Sequence, residues 1–266
     1  LRENEQAVKH YKQALELKSG NEDQALFYMG KTYGYMSQPE KKIKHLLDIV
    51  NNYKGSKYLK ISIHEIAESY NSAGDLLNAL RYYNKIVYDY PSSVLVVSSK
   101  FNIADIYFKQ RDYAKSEAEY NGILTQFGSQ GDVCEKAVRG LIDIYTAQGQ
   151  PERVEVLASQ YECANFTTIE KEDLYYMPAM EKYEDSSYQE SVILFEKYLK
   201  KFSAGRYNVE VKNYLANSHY TLGNLDEAIA IYRESLNGPD NGFTELATSR
   251  VSHYLYNERR YGEVIS

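Results

Sequence analysis

The sequence contains no tryptophan, only two cysteines, five prolines and five histidines. Two cysteines are too few for a disulfide framework, and no CxxC metal or redox motif occurs. The histidines are scattered, and none has a second histidine at metal-ligand spacing on its own predicted helix. A glycine-rich phosphate loop, HExxH and GxSxG are also absent from the sequence. The sequence therefore predicts no catalytic residues, no metal site and no cofactor, and favours a protein that is not an enzyme.

Charge and hydropathy argue against two further classes. The formal net charge is −6 and the pI is near 5.5, with basic residues interleaved among acidic ones, which argues against a nucleic-acid partner. Apolar runs such as 94–97 and 192–195 are much shorter than the roughly 20 residues that span a bilayer, so no membrane span is predicted. The first ten residues, LRENEQAVKH, have neither an initiating methionine nor a signal-peptide core, and we expect a longer protein around this chain.

What the sequence does have is tyrosine, 28 residues of 266, placed at a regular interval. One column of tyrosines lies three residues after a small or apolar residue and contains Tyr33, Tyr70, Tyr107 and Tyr145. A second column, spaced by 35 to 38 residues, is mostly small and contains Ala7, Lys42, Ala79, Ser116, Val154, Ser191, Ala228 and Val264. Apolar or aromatic residues mostly follow this column after four and seven positions, which marks one face of a helix. Each period therefore predicts two helices of roughly 14 residues.

Segments rich in Gly, Asp, Asn or Pro lie between the two helices of most periods and are typical of helix-to-helix turns. They predict six complete hairpins, centred near residues 37, 74, 111, 149, 186 and 223. Residues 1–18 are predicted to be an unpaired second helix, and residues 243–266 a first helix with the start of its mate. Between repeats, Pro91 is expected to end a helix at or just before Tyr90, and Ser92 or Ser93 to cap the next helix.

Taken together, these features resemble the tetratricopeptide repeat, with the best copies at residues 66–91 and 215–236. The resemblance implies an all-α fold, a right-handed superhelical solenoid of antiparallel helix pairs, with one domain over residues 1–266. The period is nearer 37 than the usual 34. Residues 161–187 are irregular because Pro178 interrupts the pattern and Lys182 stands where an aromatic residue is expected. A one-residue shift would place Tyr183 in that position.

The resemblance also implies a function, because tetratricopeptide arrays commonly bind a peptide or protein partner in a concave groove lined by the first helices. On a helical wheel, the groove-facing residues are Phe27, Lys31, Tyr35, His64, Glu68, Asn71, Phe101, Asp105, Phe108, Arg139, Asp143, Tyr176, Met180, Tyr183, Asn213, Asn217 and Tyr220. Aromatic anchors, amides and charges of both signs suit peptide recognition. The few Lys and Arg residues near this face argue against a clamp for chaperone tails. Self-association through the repeat ends is a further possibility for this family.

Location and wider role follow from a narrower resemblance. Repeats that end in an aromatic residue, Pro and Ser are similar to bacterial cell-envelope tetratricopeptide proteins, among them the lipoprotein of the outer-membrane β-barrel assembly machinery and the Tol-Pal coordinator. This implies a periplasmic or outer-membrane-associated scaffold in envelope assembly or maintenance, and a cytoplasmic one otherwise. The alternative is a sensory or regulatory segment of a larger signalling or transcription-regulating protein.

The two cysteines bear on the compartment. Cys134 is predicted at the start of a first helix and Cys163 at the end of its paired second helix, and an antiparallel hairpin brings these positions to the same end. Two alternatives stay open at this point, a disulfide between them or two separate thiols. A disulfide would favour an oxidising compartment.

Overall fold

A computed structural model describes residues 2–18, 20–128, 131–164, 166–260 and 263. Within these ranges the regular structure is helical throughout, without a strand, which confirms the all-α prediction. The helices are α1 Arg2–Glu16, α2 Glu22–Tyr35, α3 Pro39–Asn52, α4 Leu59–Ser72, α5 Leu76–Asp89, α6 Val96–Lys109, α7 Tyr113–Phe127, α8 Gly131–Ala147, α9 Pro151–Gln160, α10 Thr168–Glu184, α11 Tyr188–Lys201, α12 Asn208–Leu222, α13 Leu225–Leu236 and α14 Thr244–Asn257.

The chain divides into two compact units, Leu1–Ile144 and Tyr145–Ser266, with the boundary inside α8. In the first unit α2 packs on α3, α4 on α5 and α6 on α7, and α3 packs on α4 and α5 on α6 between these hairpins. In the second unit α10 packs on α11 and α12 on α13, and α13 packs on α14. Because short connections make the chain reverse between paired helices, each pair is antiparallel.

The turns of the six predicted hairpins share one backbone feature, a residue with a positive φ angle. These residues are Ser37, Gly74, Arg111, Gly149, Ser186 and Gly223, with φ between 56° and 85°. Their positions match the predicted hairpin centres. The left-handed conformation ends the first helix and directs the chain back along it, so the turn places the start of each second helix.

The interior is built as the two columns predict, with small residues beside large ones. Ala79, Ser116 and Ala228 are fully buried, as are the rings of Tyr83 and Tyr232 four residues beyond two of them. A small side chain lets paired helices approach, and the ring then fills the space toward the neighbouring pair. This packing explains how a chain without tryptophan builds a core from tyrosine.

The junction between repeats differs from the prediction in one detail. As predicted, α5 ends at Asp89, and the N–H of Tyr90 donates to the carbonyl of Ile86. The prediction that Ser92 or Ser93 caps the next helix is wrong, because α6 begins at Val96 and no side chain caps it. Instead, the Ser93 hydroxyl accepts a hydrogen bond from the Leu95 N–H at 3.3 Å, within the turn before the helix. The extra turn residues move the serine away from the helix terminus.

Most of the irregular segment 161–187 is helical, because α10 covers Thr168–Glu184. Pro178 is buried inside α10, which begins with a capping box formed by Thr167 and Glu170. The ring of Tyr183 lies 4.8 Å from that of Tyr214, whereas Lys182 points to Glu190, with 2.8 Å between Nζ and Oε2. The one-residue shift that would place Tyr183 in the aromatic position is therefore confirmed. Helix α9, with 10 residues, is shorter than the predicted 14.

Candidate functional site

The predicted groove residues of the first unit lie on first helices that contact one another through side chains one repeat apart. The Lys31 ammonium on α2 donates to the Glu65 carboxylate on α4. The His64 ring on α4 lies 3.1 Å from the Ser98 hydroxyl on α6, measured from Nε2 to Oγ. These contacts make the first helices of this unit one continuous surface, which we call the inner face.

Exposure divides the predicted residues of the inner face into three groups. Tyr35 is 74% exposed, and Glu68, Arg139 and Asp143 are also exposed. Half-buried residues are Phe27, Lys31, Asn71, Asp105 and Phe108. His64 and Phe101 are buried, with 6% and 4% exposure.

Phe101 has neighbours on two sides. Its ring packs on that of Tyr120, with 6.2 Å between centroids, and the Lys136 ammonium covers it at 4.4 Å. Phe101 therefore contributes to packing beneath the surface, and the exposed groups around it would meet a partner first.

The predicted residues of the second unit also come together. The Asn217 amide donates to the Tyr183 hydroxyl at 2.6 Å, which links α12 to α10. Tyr176 stacks on Tyr207 with 3.8 Å between ring centroids. Tyr220 lies beneath the Arg250 guanidinium, at 4.1 Å.

Two predicted residues of this unit have surroundings that the wheel did not reveal. Asn213 is 2% exposed and donates its amide to the Val209 carbonyl at 2.8 Å, so it is committed to its own helix. Met180 is half-buried and packs on the core that surrounds Phe195. Asn213 Oδ1 has no hydrogen-bond partner among the described residues, but it is enclosed and not exposed to a partner protein.

A buried charge cluster on the inner face was not predicted from the sequence. Glu65, 8% exposed, receives Lys31 from one side and Lys42 from the other, with 2.6 Å between Lys42 Nζ and Glu65 Oε2. Gly34 leaves room for this, because a β-carbon there would lie 3.1 Å from Lys42 Cδ. Burial alone would raise the pKa of Glu65, but the bonds from the two lysines outweigh it and hold the pKa below its ordinary value.

The sequence did contain a signal for this cluster. Lys42 stands in a column that is otherwise mostly small, and a lysine at a packed position needs a buried acidic partner. The partner, Glu65, lies 23 residues away on the next first helix, which the column by itself does not identify.

The carboxylates of Asp105 and Asp143, both on the inner face, interact electrostatically. The Tyr120 hydroxyl donates to Asp105. Burial raises the pKa of Asp143 and the charge of Asp105 raises it further, while Arg139 opposes both. The Asp143 side chain is exposed to solvent, but nearby protein atoms still displace part of its hydration shell, and this loss of hydration raises its pKa. The two carboxylates therefore place negative charge at this end of the inner face, which Arg139 partly offsets.

Neither Cys134 nor Cys163 is a free thiol, and each takes part in a disulfide bond. Among the described residues, no group of three His, Cys, Asp or Glu side chains could hold a metal ion. In the same part of the chain, no helix is both long and apolar enough to cross a membrane.

Family models of the tetratricopeptide repeat match four segments of the chain, at residues 24–56, 63–93, 97–125 and 176–242. Together these segments make up more than half of the 266 residues. No curated protein matches the chain. The chain belongs to the tetratricopeptide-repeat family.

Solved structures are similar to it in fold. One chain in the structure of Naa15/Naa10 bound to HypK-THB is 16% identical in sequence, and the match covers 95% of this chain and 36% of that chain, with a TM-score of 0.54. A tetratricopeptide repeat protein from Parabacteroides merdae is 12% identical over 92% of this chain and 89% of its own, with a TM-score of 0.49. The TPR2AB domain of yeast Sti1 in complex with pHSP90 is 16% identical over 92% and 88%, with a TM-score of 0.44. At these identities the likeness concerns the fold.

Proposed function

We propose that this chain is a non-catalytic scaffold that binds a peptide or protein partner along the inner face of its first helices. The observation that carries the proposal is the continuity of that face, where side chains one repeat apart join α2 to α4 and α4 to α6. Membership of the tetratricopeptide family supports the same function, since arrays of this family typically mediate protein–protein interaction.

The chemistry of the face suits an extended partner. Tyr35 offers an exposed aromatic ring, Asn71 an amide, and Glu68 and Arg139 exposed charges of opposite sign. An aromatic side chain provides apolar contact area with little conformational freedom to lose, and polar groups around it set orientation. A partner that crosses several repeats would meet these groups in succession.

For location, we propose an extracytoplasmic compartment, with a role in bacterial envelope assembly or maintenance. The disulfide linkage of Cys134 and Cys163 supports it, because such bonds persist in oxidising compartments and are rare in the cytosol. The resemblance of the repeat junctions to envelope scaffolds supports it independently.

Affinity capture from separated envelope and soluble fractions of the source cell tests both parts of this proposal. The inner-face variant carries Tyr35→Ala and Arg139→Ala, two exposed positions whose loss should leave the core intact. A matched control carries Leu77→Ala and Tyr88→Ala on α5, where both side chains are more than 75% exposed. Circular dichroism checks that both variants keep their helicity.

The expected result is a partner captured from the envelope fraction by the unchanged protein and by the α5 control, and lost from the inner-face variant. Equal capture by both variants would remove the inner face as the binding surface. A partner found only in the soluble fraction would remove the envelope role and leave the scaffold function.

A further inference from the structure

A cleft of about 700 Å³ opens on the inner face of the first unit, near the turns that follow α2 and α4. Residues of four consecutive helices, α3 to α6, contribute to its lining: Lys42, Glu68, Asn71, Ser72, Tyr83 and Asn102. A cleft of this size accepts a whole side chain of a partner. What it accepts depends on which hydrogen-bonding groups are still open.

The hydrogen-bond donors around the cleft are mostly committed within the protein. Lys42 is bonded to Glu65, with 2.6 Å between Nζ and Oε2. The Ser69 hydroxyl donates to the Glu65 carbonyl at 2.7 Å, and the Asn102 amide nitrogen donates to the Ser98 carbonyl at 2.9 Å. A ligand that needs donors would find few here.

Two polar groups with acceptor oxygens have no such partner in the described part of the chain, although the Tyr83 hydroxyl is a donor as well as an acceptor. The Tyr83 side chain is fully buried, and its hydroxyl has no hydrogen-bond partner among the described residues. The same holds for Oδ1 of Asn71. The Asn71 side chain lies close enough to the Tyr83 phenol to lower its pKa, which burial raises. Asn71 Oδ1 and the phenol oxygen nevertheless remain without a well-formed hydrogen bond. A buried polar atom left unsatisfied costs roughly 1–3 kcal/mol, so a ligand that donates to these atoms would relieve that cost.

The charge of the cleft determines which kind of hydrogen-bond donor on a ligand is favoured. The Glu68 carboxylate is 48% exposed at the cleft, and its contact, at 3.6 Å, is with His64. Burial lowers the pKa of His64, so this ring is neutral at pH 7 and does not cancel the charge of Glu68. Glu68 and Asp105 both act on Tyr83, and Asp105 occupies the position one repeat beyond Glu68. Glu65 offsets only one of the two positive charges of Lys31 and Lys42, and Lys31 also interacts with Glu68. The charge around the cleft is nevertheless net negative, because Glu65, Glu68 and Asp105 together outnumber the two lysines.

We propose that this cleft binds a basic side chain, arginine or lysine, of the partner that lies on the inner face. The proposal rests on the scaffold function proposed above and adds the chemistry of one anchoring contact. A guanidinium carries five N–H donors and an ammonium three, and neither carries an acceptor, which complements a site of open acceptors beside a carboxylate.

Blocked tripeptides test this chemistry directly. Acetyl-Gly-Arg-Gly-amide and acetyl-Gly-Lys-Gly-amide are titrated into the protein and followed by NMR chemical-shift changes. The citrulline tripeptide is the control for charge because its side chain has nearly the same shape as arginine and is neutral. The glutamate tripeptide is the control for the opposite charge.

Protein variants locate the binding. Glu68→Gln removes the charge and keeps the shape of an exposed side chain, and Tyr83→Phe removes only the buried hydroxyl. Glu196→Gln, at an exposed position on α11, is the charge-matched control. The expected result is binding of the basic tripeptides that weakens about five-fold in Glu68→Gln and about two-fold or more in Tyr83→Phe, and is unchanged in Glu196→Gln.

Equal binding of the arginine and citrulline tripeptides, equal affinity of Glu68→Gln and unchanged protein, or preference for the glutamate tripeptide would each overturn the proposal. These outcomes are separable from failure of the scaffold function. If capture depends on Tyr35 and Arg139 while the basic tripeptides do not bind, the scaffold stands and the basic anchor is wrong.

Discussion

The ring of Tyr120 occupies the space that a side chain on Gly140 would need. A β-carbon built on Gly140 would lie 2.2 Å from Cζ of Tyr120 and 2.5 Å from both Cε atoms. The hydroxyl of the same ring donates a hydrogen bond to Asp105. The ring is therefore positioned by its packing against Gly140 and by this hydrogen bond. A glycine on α8 thus positions a hydrogen bond on the inner face, one helix away.

We expect Gly140→Ala to destabilise the protein by about 2 kcal/mol in urea unfolding. Overpacking costs roughly 1–3 kcal/mol, and the better helix propensity of alanine returns up to about 1 kcal/mol. Gly122→Ala on α7 is the matched control, because a β-carbon there would meet nothing within 4 Å. The control is expected to gain stability, and a similar gain for Gly140→Ala would contradict the packing argument.

Arg111, at φ 59°, has a left-handed backbone at a turn position where three of the other five hairpins have glycine. We expect Arg111→Gly to raise the free energy of unfolding by about 0.5–1 kcal/mol, because relief of strain exceeds the added freedom of the unfolded chain. Arg111→Ala removes the same side chain but keeps the strain, so thermal unfolding should show no such gain for it. Equal stability of the two variants would mean that the side chain, and not the backbone, decides.

Removal of the charge at Glu65 should be costly at neutral pH. We expect Glu65→Gln to lose about 2 kcal/mol at pH 7, between the values for surface and fully buried ion pairs. Because the folded pKa of Glu65 is lowered, its stabilisation is complete above the ordinary pKa of 4.5 and is lost as the pH falls through the lower folded value. Urea unfolding of both proteins from pH 7 downward should show the difference shrinking below pH 4.5. A difference that does not change with pH would contradict the assignment.

Asp143 should behave in the opposite sense. Its folded pKa is raised by burial and by Asp105, so ionisation at neutral pH opposes folding. We therefore expect Asp143→Asn to be more stable than the unchanged protein at pH 7. The gain should decline as the pH falls toward 3.8, the ordinary aspartate pKa, where the unfolded chain is protonated as well. A variant that is less stable at pH 7 would show that the carboxylate makes a favourable contact.

The cysteines allow a simple measurement. The chain has two cysteines and neither is a free thiol, so we expect one intramolecular bond between Cys134 and Cys163. Alkylation and mass measurement should find no free thiol before reduction and two after it. Reduction is expected to lower the free energy of unfolding by about 2–4 kcal/mol. Two alkylated thiols before reduction, or a covalent dimer on a non-reducing gel, would contradict the intramolecular bond.

The sequence alone determined the repeat, the six hairpins and their centres. These depend on signals within a single period of about 37 residues, namely small and aromatic columns and turn residues, and the left-handed residues from Ser37 to Gly223 fall at the predicted centres. The helix start after Ser93 was missed because the turn contains more residues than a direct cap would require.

Only the tertiary structure decided whether each residue on the inner face is exposed, buried or paired with a neighbour. A helical wheel gives the direction of a side chain and says nothing of the distance to the neighbouring helix, so it could not distinguish exposed Tyr35 from buried Phe101. The pairing of Lys42 with Glu65, and the unsatisfied hydroxyl of Tyr83, depend on how closely adjacent repeats pack. That spacing is set by packed side chains from different repeats, which no local pattern specifies.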